Sequence, residues 1–156
     1  MPDPIKRHPS LQPLSRDHHD GLLLCFKIRE GIKRGVEPDR IKSYTDWFWE
    51  NHLAPHFREE EESVFPLIGM DHPEVKIALE QHVRLKELFT GPVTDYETLR
   101  SMERGLEQHI RYEERTLFNT IQNEAASDRL AEAGFAHHRV PSCEVWNDPF
   151  WSDKSV

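Results

Sequence analysis

A chain of 156 residues is long enough for one hydrophobic core and short for two, so a single domain is expected. Charged residues make up 31% and hydrophobic ones 37%, the balance of long amphipathic helices; a net charge of −8 gives no electrostatic reason to hold phosphate backbones, which excludes nucleic acid as the main partner. Apolar runs of only a few residues exclude a membrane span.

Few glycines and no lasting strand-like alternation predict an all-helical chain. The first helix is expected from about Ser15 to Arg34, stopping at Gly35, with an apolar stripe of Leu14, Leu22, Cys25, Ile28 and Ile32. A second helix should begin after Pro38 and run through Trp47 and Phe65 towards Pro66. Pro55 inside it predicts a kink or break near Leu53. Asp71 with Glu74 forms a capping-box pattern that opens a third helix, which ends near Gly91-Pro92. Thr94 with Glu97 repeats the signal for a fourth helix reaching about Asn123.

Short connections make neighbouring helices antiparallel, so residues 11–124 are expected to form an up-down four-helix bundle. Residues 125–156 should form a C-terminal extension on that bundle. It begins with a short helix, Ser127 to Ala133, and continues as an extended tail with Trp146, Phe150 and Trp151 as packing anchors. Met1 to Ser10 is polar and proline-broken, unlike a secretory leader, and two cysteines, Cys25 and Cys143, make no disulfide framework. A reducing, cytoplasmic setting is therefore expected.

Ten histidines are the surplus that needs a reason. An internal repeat supplies one. Residues His56-Phe-Arg-Glu-Glu60-Glu61-Glu-Ser-Val64-Phe65 match His109-Ile-Arg-Tyr-Glu113-Glu114-Arg-Thr-Leu117-Phe118 at a shift of 53. Helical residues four apart share a face, so each copy presents an imidazole beside a carboxylate, His56 with Glu60 and His109 with Glu113. Leu53, Val64, Leu106 and Leu117 flank the pairs at helical spacing and turn them inward, where an isolated carboxylate is very costly without a counter-charge or cation. The third helix offers His82, on the face of Ala78, Leu85 and Phe89. The first offers His18, on which the apolar stripe is centred, or His19, whose spacing to Leu22 matches that of His82 to Leu85.

Four imidazoles and two carboxylates inside a bundle suit a dinuclear transition-metal site. If both glutamates bridge, each ion, when six-coordinate, keeps about two positions open for a small ligand. A structural zinc site would be closed and thiolate-rich, so iron is favoured, with manganese or zinc as substitutes. His52 lies one turn before His56, but its repeat counterpart is Gly105, which gives it an outer or pH-sensitive surface role. Glu61 and Glu114 recur in both copies and suit groups that orient the ligating imidazoles. Glu59 and Glu62 read as a solvated acidic face. His8 and His72 read as surface residues, and His137, His138 and Cys143 match no zinc spacing.

The segments Leu14-Ser-Arg-Asp-His18, His56 to Glu60, Glu80-Gln-His82 and His109 to Glu113 together resemble the hemerythrin-like (HHE cation-binding) domains over roughly residues 11 to 124. The resemblance implies two irons, oxo- or hydroxo-bridged, held by His18 or His19, His56, Glu60, His82, His109 and Glu113, with a small molecule at an open position. Oxygen-carrying hemerythrins place a further histidine one turn from the third-helix ligand and end on His-x4-Asp. Here Ala78 and Lys86 flank His82 at four residues, and the last pair is His109-x3-Glu113. The resemblance therefore points to regulatory and stress-response members that bind or sense dioxygen, nitric oxide or iron. An enzyme that reduces nitric oxide or decomposes peroxide is the alternative.

Overall fold

The computed structural model describes residues 6–93, 95–125, 127–132 and 146–152. Among them every regular element is helical and no strand occurs. Helix α1 spans Gln12–Lys33, three residues longer at its start than its pattern suggests, because Pro13 in the first turn needs no hydrogen-bond acceptor there. It ends before Gly35, whose φ of +71° is the left-handed conformation that suits glycine after a helix. Its buried face is Leu14, His18, Gly21, Leu24, Cys25, Ile28 and Gly31, together with Asp20 and Lys27. Leu22 and Ile32, assigned to the stripe from sequence, are half-buried beside it.

The next helical run is unbroken from Pro38 to Leu67. It comprises α2 (Pro38–Phe48), a π-helical turn (Trp49–Leu53), α3 (Ala54–Glu59), a second π turn (Glu60–Val64) and a 3₁₀ turn (Phe65–Leu67). Of the kink or break expected near Leu53, a break does not occur: a π turn ends at Leu53 and the run continues through Pro55. That proline sits in the first turn of α3, just after the π turn, where hydrogen bonding has already shifted register and the missing N–H is absorbed.

Helix α4 is Pro73–Thr90, and its cap is His72 rather than Asp71: His72 Nδ1 accepts the Glu74 N–H at 3.1 Å. Helix α5 is Tyr96–Tyr112, capped by Asp95, whose Oδ1 accepts the Thr98 N–H at 2.9 Å. Thr94, the cap expected from sequence, lies outside the described residues. Aspartate three residues before that N–H supplies the acceptor equally well. A third π turn (Glu113–Leu117) leads into α6 (Phe118–Glu124), and α7 covers Ser127–Glu132.

The core divides into two apolar clusters. One contains Leu11, Leu14, Val64, Phe65, Val75, Ala78, Leu117 and Phe118. The other contains Leu24, Cys25, Ile28, Phe48, Leu53, Leu85, Phe89, Met102 and Leu106. Helix α1 and α4 run from the first cluster to the second, while the other two long runs go from the second to the first. In all four, the buried histidine lies at the passage between them. Helix α1 packs mainly along α5, which also receives α4.

At the second cluster Phe150 is buried against Gly31, where an added Cβ would stand 2.9 Å from the Phe150 ring and 2.8 Å from Ile41 Cδ1. Trp146 and Trp151 pack on Tyr44 beside it, and Trp151 also covers the Lys27 ammonium. His137, His138 and Cys143 lie outside the described residues. Cys25 is buried, its Sγ–H donates to the Glu103 carbonyl at 3.3 Å, and burial pushes the thiol up to about 12, so it is no thiolate donor.

Candidate metal centre

Between the two clusters, the structure brings together His18, His56, Glu60, His82, His109 and Glu113. Glu60 and Glu113 are 0% exposed, and the four imidazoles are all buried. His19 is exposed on the neighbouring face of α1 and takes no part, which follows from the roughly 100° that separates consecutive helical residues. His52 belongs to neither donor group; it is half-buried, not on the surface, and stacks on Phe48.

The six side chains form two overlapping groups, each able to converge on one ion: His18, His56, Glu60 and Glu113, and Glu60, His82, His109 and Glu113. The shared members are the two glutamates. Glu60 Oε1 lies 3.3 Å from His56 Nε2 and 3.1 Å from His82 Nε2. Glu113 Oε1 lies 2.8 Å from His109 Nε2 and 3.1 Å from His18 Nε2. Each carboxylate thus spans from its own helix to one of the single-histidine helices.

Every imidazole turns Nε2 inward and Nδ1 outward. His56 Nδ1–H donates to Asp17 Oδ2 at 2.9 Å, His82 Nδ1–H to Glu61 Oε2 at 2.8 Å and His109 Nδ1–H to Gln81 Oε1 at 2.6 Å. His18 Nδ1 faces Glu114 Oε2 at 3.6 Å. A carboxylate or amide oxygen behind the ring fixes the tautomer with the Nε2 lone pair inward, the arrangement metal-ligating histidines use. The outer partners obey the same pseudo-symmetry as the inner ones. Glu61 and Glu114 are repeat counterparts, and the pairs Asp17-His18 and Gln81-His82 correspond at a shift of 64. Glu61 and Glu114 were legible as orienting groups. Asp17 and Gln81 were not, although the recurrence of a polar acceptor directly before each histidine was the available signal. Glu62 is exposed and Glu59 half-buried.

The repeat extends to the backbone. Glu60 and Glu113 each begin a π turn, Glu60–Val64 and Glu113–Leu117. Such turns are frequent at functional sites, and here each one begins at a shared carboxylate. Periodicity does not reveal one, because a π turn displaces the pattern by a single residue.

Without a cation this cluster has to be held by protons. Burial pulls the His18 ring down, but Glu113 and Glu114 outweigh it and raise His18 to about 9. Burial likewise opposes His82, and Glu60 with Glu61 raises it to about 9. His109 is lowered by burial. Burial, reinforced by Glu113, pushes the Glu60 carboxyl well up, whereas His109 and His18 hold Glu113 well below the usual range despite its burial. Even so, both Glu60 oxygens, Glu113 Oε2 and the Nε2 atoms of His82 and His109 are buried without a hydrogen-bond partner. Inward-facing acceptors of this kind, with no thiolate among them, fit hard to borderline divalent or trivalent cations.

A fold that is all-helical among the described residues, with a buried histidine–glutamate cluster of this geometry, suits a helical metal-binding protein. The hemerythrin HHE cation-binding domain family model matches residues 11–121, and the chain belongs to that family. No curated protein and no solved structure matches the chain. No helix among the described residues is long and apolar enough to cross a membrane.

Proposed function

We propose that the chain is a non-haem di-iron protein that binds or senses a small ligand, dioxygen, nitric oxide or iron itself, in a reducing cytoplasmic setting. The observation that carries the reading is the pair of four-residue donor groups sharing Glu60 and Glu113. His18 and His56 would hold one ion and His82 and His109 the other, with both glutamates bridging. Four side-chain donors to each ion would leave coordination positions for a small ligand, as a ligand-binding centre requires. Iron fits an oxygen- and imidazole-rich donor set better than zinc, which favours thiolates in closed sites; manganese and zinc remain substitutes. The reversed order of apolar clusters along successive runs supports an up-down bundle over residues 11–124, with residues 125–156 as an extension upon it.

The test is stopped-flow mixing of the iron-loaded, reduced protein with dioxygen, nitric oxide or peroxide. A single stoichiometric adduct with one of the gases is expected. Multiple turnover of nitric oxide or peroxide would instead establish the enzymatic alternative. A centre that responds to none of the three and does not exchange iron would overturn the reading.

A further inference from the structure

The pseudo-symmetry of the helical runs fails on one outer face. At shifts of 53 and 64, Phe57 and Leu85 stand where the other half has Ile110 and Gly21. Gly21 lets α1 close on α5: a Cβ there would stand 2.7 Å from Ile110 Cδ1. Two bulky side chains in place of that pair leave no such close approach, and α4 packs on α5 more than on the run from Pro38 to Leu67. Between α4 and that run lies an open cleft of about 520 Å³, beside His82.

A cleft of that size suits a small organic molecule. Its apolar walls are Trp49, Ala54 and Phe57 on one side and Leu79 and Val83 on the other. Val83 is 59% exposed, and Trp49 is half-buried, stacked by one face on Phe89, so apolar surface is left facing water. Arg58, Glu61, Glu62 and Lys86 supply the charge. Glu61 is committed, accepting the His82 Nδ1–H at 2.8 Å, and Lys86 reaches it only with its longer-range charge. Among the described residues, neither the Arg58 guanidinium nor the Lys86 ammonium makes a hydrogen bond or a close ion pair. Two exposed cations thus stand against the one uncommitted carboxylate of Glu62, a local cationic excess in a chain of net charge −8. A guanidinium beside an ammonium at an apolar wall is complementary to a carboxylate on a flat hydrocarbon body.

We propose that this cleft binds a small aromatic carboxylate, its ring against Trp49, Phe57 and Val83 and its carboxylate on Arg58 and Lys86. Of the six clustered donors only His82 borders the cleft, so the site is distinct from the metal centre and needs no ion to form.

The probe is 1-naphthoate, titrated by calorimetry into the full chain purified with iron available, with neutral 1-naphthylmethanol and acetate as controls. Naphthoate should bind at a single site, about tenfold or more tightly than either control, since only it uses both the ring wall and the cations. Arg58→Gln and Lys86→Gln, both at exposed positions, should each weaken it about five- to tenfold. Val83→Glu, which sets a carboxylate in the cleft, should abolish binding while leaving the melting temperature unchanged. Naphthoate held no more tightly than the alcohol, or equally well by both glutamine variants, overturns the assignment. So does a wild-type dimer, seen by sedimentation, that Val83→Glu dissociates, because a second copy would then fill the cleft. Iron content of the same samples reads the metal centre separately: iron-free protein that still binds naphthoate supports the cleft and counts against the di-iron reading alone.

Discussion

Glu60→Gln separates metal binding from folding most cleanly, because it removes the group that can ionise to bind a cation while keeping shape. Glu60 is 0% exposed and belongs to both donor groups. Burial and the neighbouring Glu113 push its carboxyl well up, which favours the neutral acid in the metal-free protein. Replacing a neutral acid by a neutral amide of the same size should change metal-free stability by no more than about 1 kcal/mol. For a chain of this length, that moves the melting temperature by about 2–4 °C. Metal binding is another matter. A site occupied at about a thousandfold its dissociation constant stabilises the fold by about 4 kcal/mol. Wild type should therefore melt roughly 8–16 °C higher with ferrous iron than without it, scaling that energy by the same size relation. The glutamine variant, having lost an anionic donor common to both positions, should gain less than about 3 °C by the same scale. Anaerobic differential scanning calorimetry with and without iron reads both numbers. An equal iron-dependent gain in wild type and variant would refute the placement of Glu60 between the ions.

Further outcomes follow from the same geometry. His18 and His82 are raised to about 9, above the value of an unfolded histidine, so their contribution to metal-free stability is fully present below about pH 6.5 and is lost as pH rises through about 9. Metal uptake must release those protons, so iron affinity should rise over the same window. Opposite slopes in chemical denaturation and in metal titration check this, and parallel slopes would contradict it. Asp17→Ala removes the acceptor behind His56 and should weaken metal binding about 10–100-fold in competition with a chelator while leaving helix content unchanged. Gly31→Ala places a methyl between Ile41 and the Phe150 ring. Overpacking of about 1–3 kcal/mol outweighs the roughly 1 kcal/mol gained in helix propensity, so the melting temperature should fall; a rise would show that Phe150 does not sit there.

What the sequence disclosed and what it hid divide along physical lines. Side-chain periodicity carries the inward face, so the repeat from His56 and His109 located both imidazole–carboxylate pairs. The choice between His18 and His19 stayed open because the match of His19-x-x-Leu22 to His82-x-x-Leu85 competes with the apolar stripe. The structure shows why that match misleads: the counterpart of Leu85 is Gly21, whose missing side chain makes room for Ile110, not Leu22. Caps were displaced by one residue, to His72 and Asp95, since several neighbouring side chains can satisfy the same orphan N–H. The π turns were invisible, because they alter hydrogen-bond register without changing which residue types are buried. They also account for the continuity past Pro55, which propensity alone reads as a kink or a break.

The di-iron reading puts two metal ions between the two apolar clusters, sharing Glu60 and Glu113. Anomalous scattering at the iron edge, on crystals of protein expressed with iron available, tests it most directly. Two peaks per chain are expected, one beside His18 and His56 and one beside His82 and His109, both in contact with the two glutamates. A single peak elsewhere on the chain, or none within this cluster, would contradict it.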